Sequence, residues 1–279
     1  MIELFSEEID LEVPAKLRGL VLAFILGETG KIIQERIPMY PTGLPLLVNL
    51  FGSIPLVTVN GKKIQITSRI LLTGQICGAE IHSYFDGFYK QLGIVLYPSA
   101  PYYLFHKGGE DLINNLTPFG EISPINSAML NKNLTVEKLS KTERLGKLVD
   151  HLELLEENRL PRIEWLEESL SQIFKENGKI DQKDLLENSG VGSRHFRRIF
   201  KKVIGVSPKY FCKVIQMNTA FEAINNSDPV ELHHIALDCG YYDQSHFIND
   251  FRNMFGSSPE KFLNGKHAYI KNFMGRRGT

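Results

Sequence analysis

The last hundred residues spell one helical unit twice. Sliding the chain by 51 positions lays residues 193–211 over 244–262 with seven identities in 19: His195/His246, Phe196/Phe247, Phe200/Phe251, Gly205/Gly256, Ser207/Ser258, Pro208/Pro259 and Phe211/Phe262. Chance gives about one. Upstream, the best slip is 50, pairing Leu185 with Ile235 and Gly190 with Gly240, so the second turn is one residue longer. Each copy reads as helix, tight turn, helix, with the turn glycine just past the first helix, where a left-handed cap is cheapest without a Cβ. A Gly-x-Ser-Pro exit recurs at Gly205 and Gly256, serine capping the next helix and proline filling its first position. This is helix-turn-helix punctuation.

In the second helix of the first copy, Phe196, Ile199, Phe200 and Val203 share one face and leave Arg194, Arg197, Arg198 and Lys201 on the other. From 193 to 213 there are seven basic residues (those four with Lys202, Lys209 and Lys213) and no acidic one, a surface suited to phosphates. The bland alternative is a solvated basic helix face, which gives no reason for a second copy.

The second unit contains Ile235-Ala236, Gly240-Tyr241, Ser245-His246-Phe247, Phe251-Arg252, Phe255-Gly256 and Ser258-Pro259, and it resembles the signature of the AraC/XylS transcription regulators. The resemblance covers roughly residues 160–265. It implies a seven-helix domain in which a long helix, here 208–224, joins two helix-turn-helix units. Their recognition helices would enter successive major-groove segments about 34 Å apart. Carried over by position, Arg194, Arg197 and Arg198 are expected to read base edges, since arginine holds guanine bidentately, with Lys201 and Lys202 on phosphates. The second surface is Ser245, Ile248, Asn249 and Arg252, where Ile248 suits a thymine methyl and Asn249 an adenine. Three residues depart from the pattern: Leu186 replaces a small alanine, Gln216 an arginine, and Asp250 flanks the second reading surface.

The formal charge is zero over 279 residues, which excludes an indiscriminate polyanion binder. It divides into 17 Lys+Arg against 14 Asp+Glu in 161–279, or +3, leaving 15 against 18, or −3, in 1–160. Cys77, Cys212 and Cys239 lie far apart and suggest neither a disulfide framework nor a metal site. With no signal peptide visible and no apolar run of membrane length, the expected location is cytoplasmic, away from membranes.

Residues 16–107 carry short β-rich runs at 20–26, 31–35, 46–51, 56–59, 62–67, 76–82 and 88–97, punctuated by Gly, Pro and Asn. Many short strands favour a sandwich or barrel. Pro41-Thr42-Gly43, the run 46–50, Thr73-Gly74-Gln75 and the run 93–98 resemble an N-terminal domain of unknown function often fused to AraC-type units, which implies a cupin-like barrel. His82 and His106 read as structural or surface histidines, with metal coordination the alternative. No nucleophile elbow or phosphate loop appears, and no cofactor is expected. Tyr40, Phe51, Gln75, Tyr84, Phe85 and Tyr89 are candidates to line an effector pocket, against the plainer reading of core and cross-strand aromatics.

The expected organisation is a β-rich sensing domain over 1–130, a helical linker over 131–160, a double helix-turn-helix domain over 161–265 and a tail over 266–279. In the linker, Leu145, Leu148, Leu152 and Leu155 repeat at heptad spacing on a helix predicted over 136–159. This is either a dimer seam or a face packed on the chain's own barrel; the resemblance, in which such helices dimerise, favours a homodimer. The expected function is a sequence-specific regulator binding double-stranded DNA, responsive to a small-molecule effector and contacting RNA polymerase if it activates. The competing reading is a cupin-type or DNA-repair enzyme fused to such a DNA-binding domain.

Overall fold

The computed structural model describes residues 5–9, 11–123, 130, 134, 139–226 and 231–263. Its strands are β1 (Phe5–Glu8), β2 (Val21–Glu28), β3 (Ile33–Met39), β4 (Leu46–Leu50), β5 (Leu56–Val59), β6 (Lys62–Ile64), β7 (Ile70–Thr73), β8 (Ile81–Gly87), β9 (Lys90–Leu96) and β10 (Leu116–Pro118). They form two antiparallel sheets, one in the order β1-β2-β9-β4-β7-β10 and one in the order β3-β8-β5-β6. The β-rich half therefore exists as expected, but as two sheets and not as a closed barrel. The smaller sheet ends on strands unsuited to further pairing. Pro38 lies in β3, where a residue without an N–H belongs at an edge, and β6 is three residues long with Lys62 and Lys63 exposed, a usual protection of edges. The predicted strand at 76–82 is mostly loop, flanked by β7 and β8.

The larger sheet has two buried faces. Phe24 and Leu26 of β2 pack with Leu92, Ile94 and Leu96 into a core that includes α1 (Ala100–Phe105). Their neighbours Ala23 and Ile25 enter a second cluster with Leu46, Val48 and Val95. Successive side chains point to opposite faces, so a strand covered on both sides reads as an unbroken apolar run. Two short helices, α2 (Gly109–Leu112) and α3 (Phe119–Ile122), flank β10.

Helix α4 (Lys141–Glu156) begins later than the predicted 136 because Ser140 and Glu143 form a reciprocal capping box. Leu145, Leu148, Leu152 and Leu155 are all buried in the first core, against the chain's own sheet. The leucine repeat is thus consumed inside the monomer and offers no dimer seam; a heptad pattern marks an apolar stripe without saying what covers it.

Seven helices complete the described residues: α5 (Glu164–Lys175), α6 (Gln182–Ser189), α7 (Ser193–Ile204), α8 (Pro208–Asn226), α9 (Leu232–Asp238), α10 (Gln244–Phe255) and α11 (Pro259–Leu263). The N-terminal end of α8 contributes Phe211, Cys212 and Ile215 to a core shared with α5, α6 and α7. Its other end contributes Met217, Ala220, Phe221 and Ile224 to an aromatic-rich core with α9, α10 and α11. One helix thus supports both repeats. No helix among the described residues is long and apolar enough to cross a membrane.

Candidate nucleic-acid interface

The first unit is α6, a turn and α7. Gly190 ends α6 at φ +67°, the left-handed conformation that glycine adopts without a Cβ clash. On α7, Phe196, Phe200, Val203 and Ile204 are buried, while Arg194, Arg197, Arg198, Lys201 and Lys202 are exposed. Arg194, Arg197 and Lys201 have no ion-pair partner among the described residues, so their charge is uncompensated by the protein. Arg198 lies 3.4 Å from His195 Nδ1. Lys202 differs: its ammonium sits 5.7 Å from the centre of the Tyr102 ring of the N-terminal half, a cation–π contact that draws it away from the other four.

The second unit is α9, a turn and α10. Asp243 caps α10, its carboxylate accepting from the His246 amide at 2.7 Å. Ser245, Asn249 and Arg252 are exposed, and Ile248 is half-buried against the aromatic core. Asp250 is turned inward: it is 9% exposed, and its Oδ2 lies 2.7 Å from Lys213 Nζ of α8 and 3.5 Å from His246 Nε2. The carboxylate that flanks the second reading surface is therefore withdrawn from the surface and engages one lysine of the basic run, Lys213, which stays partly exposed. Gln216, where the AraC pattern has arginine, donates from Nε2 to the Cys239 carbonyl at 2.6 Å and ties α8 to the second turn. Leu186 is accommodated half-buried at the margin of the first core.

The N-terminal half grips both units. Asn218 of α8 donates to the Thr42 carbonyl at 2.7 Å, and the Tyr210 hydroxyl donates to the Ile76 carbonyl at 3.0 Å. Tyr40 packs on Phe255 and Phe262 of the second core at 5.1 and 5.5 Å, and burial pushes its hydroxyl up to about 12. Gly205, which ends α7 at φ +95°, lies against the backbone of Gly109; a Cβ there would come within 2.6 Å of the Gly109 carbonyl oxygen. None of these contacts was legible in the sequence, because each joins residues more than 90 positions apart.

A cavity of about 40 Å³ opens between the two sheets, bordered by Tyr40, Thr42, Gln75, Ile76 and Asn114. Of the six expected pocket residues, Tyr40 and Gln75 line it. Phe51 lies under the Arg144 guanidinium, Phe85 and Tyr89 pack edge-on at 4.8 Å, and Tyr84 is on the outer surface. His82 stands beside Arg36 and Glu80, its pKa lowered by burial and then by Arg36. His106 Nε2 lies 3.2 Å from the Asn158 carbonyl oxygen.

Residues 185–265 match the model of a helix-turn-helix domain family. This segment is a helix-turn-helix domain. Among curated proteins, the chain is similar to the transcriptional regulator ExsA of Pseudomonas aeruginosa, 30% identical over 98 residues, 34% of this chain and 35% of that protein. It is similar also to the transcriptional activator RhaS of Escherichia fergusonii, 23% identical over 145 residues, 52% of this chain and 50% of the other. The chain thus spans about a third to a half of the length of these relatives. Among solved structures, ToxT of Vibrio cholerae aligns over 86% of this chain and 97% of its own, with a TM-score of 0.49 and 12% identity.

Proposed function

We propose that the chain is a sequence-specific DNA-binding transcription regulator. The observation that carries this reading is the pair of exposed recognition helices, α7 and α10, mounted on the single helix α8, the first with three unpaired cationic side chains. Arg194, Arg197 and Arg198 are the base readers and Lys201 a phosphate anchor; Ser245, Ile248, Asn249 and Arg252 form the second, less charged reading surface. The N-terminal half is the sensing part: Tyr40 and Thr42 border the cavity and also touch the second core and α8, so an effector that widened this water-sized space would press on both. RNA polymerase is the further partner of an activator, and a homodimer would use a surface other than the leucine face of α4. An enzymatic role finds less support, since the curated relatives are regulators.

The test is selection from randomised duplexes by the full chain. A single enriched site with guanines under α7 is expected, and Arg194→Ala should weaken it by roughly 5- to 150-fold while relaxing preference at one base pair, the span of a bidentate contact of about 1–3 kcal/mol. Failure to enrich any sequence overturns the proposal.

A further inference from the structure

In the first repeat, the position before Phe200 is Ile199, half-buried against its core. The same position in the second repeat is Asp250, whose side chain is 10% exposed and meets Lys213, 41% exposed, at 2.7 Å. A carboxylate in an apolar position is stable only with a partner. Lys213 lies toward the end of α8 that serves the first unit, two residues from Ile215 of the first core, yet it reaches the recognition helix of the second. Eight residues further along α8, Phe221 stacks on Phe255 at 6.0 Å, roughly 12 Å away at 1.5 Å per residue. Helix α10 is therefore held on α8 at two separated points, one ionic and one aromatic. Two points fix a direction where one leaves a pivot. Two further polar ties between the units among the described residues, Lys179 Nζ to the Asp238 carbonyl at 3.0 Å and Gln216 to the Cys239 carbonyl, hold the end of α9 and its turn and not α10.

We infer that Lys213 and Asp250 are positioning residues that set the angle of the second recognition helix relative to the first, and so fix the spacing between the two DNA segments that this chain accepts. The role inferred for the pair requires no contact of either residue with DNA. The pair acts through α10, and the inference rests on the reading of the chain as a double-helix DNA reader. Its consequence is specific: one base pair added or removed between the segments displaces the second by about 3.4 Å along the duplex axis, and a rigidly aimed helix cannot follow, whereas one pivoting about Phe255 can.

The experiment uses the full chain, the duplex it selects from a randomised pool, and two derivatives of that duplex lengthened or shortened by one base pair between the segments under α7 and α10. The original protein and Lys213→Arg should both bind the selected spacing at least tenfold more tightly than either derivative. Lys213→Met should compress that preference to threefold or less and leave base preference under α7 unchanged. Asp250→Asn, close to isosteric, should do the same and serves as the readout if the methionine variant melts below the assay temperature. An unchanged spacing profile in both neutral variants, or a uniform loss on all three duplexes, overturns the inference while leaving DNA reading intact. If the original protein binds all three spacings alike, the inference also falls. If it enriches no sequence at all, the DNA-reading proposal falls too.

Discussion

Adjacent lysines on α7 have different surroundings. Lys201 projects unpartnered with the arginines, whereas Lys202 lies over Tyr102, and its carbonyl oxygen lies only 2.6 Å from where a Cβ on Gly108 would sit. We expect Lys201→Ala to weaken DNA binding more than Lys202→Ala, and to lower the slope of log affinity against log salt by about 1, the effect of one lost phosphate contact. Titration of a selected duplex at several salt concentrations measures both; equal slopes for the two variants would return Lys202 to the phosphate anchors. The same residue-level view revises Asp250, whose charge matters for what it holds inside the protein and not for what it repels outside.

At the scale of elements, α4 shows how one pattern serves two architectures. Its leucines meet the larger sheet and its capping box sets where it begins, so the helix is a structural cover of the N-terminal core. Leu148→Ala should cost about 2–5 kcal/mol of stability, the usual range for emptying a buried leucine site, and leave oligomeric state unchanged. Urea unfolding and sedimentation velocity check the two halves of that expectation. A stable, folded variant of reduced mass would restore the dimer seam.

At the scale of the whole molecule, the N-terminal half touches α8 at Tyr210 and Asn218 and the second core through Tyr40. Loosening that contact should be felt asymmetrically. Tyr40→Ala removes an aromatic wedge from beside Phe255 and Phe262, and amide exchange in α10 and α11 should accelerate while α7 keeps its protection, because Tyr40 belongs to the second core only. Hydrogen exchange read by mass spectrometry distinguishes this from a general loss of stability, in which both units would speed up together.

Local chemistry was enough to place the repeats. The turn glycine at Gly190, the serine caps at Ser207 and Ser258, and the 3.6-residue spacing of Phe196, Phe200 and Val203 each act within a few residues, so they were legible without tertiary information, and with them the exposed faces of α7 and α10. Asp250 was read from the sequence only as a flank of the second reading surface; that it is buried and that its partner is Lys213 emerged with the tertiary structure. The strands were found more often than their pairing, because alternation fixes which side chains share a face and leaves open which strands meet; a barrel and two open sheets contain the same runs. What the leucines of α4 cover, which aromatics line the cavity, and how Tyr40, Asn218 and Tyr210 join the halves were decided by the tertiary structure alone. Each depends on contact between segments distant in the chain, and no local propensity encodes the partner.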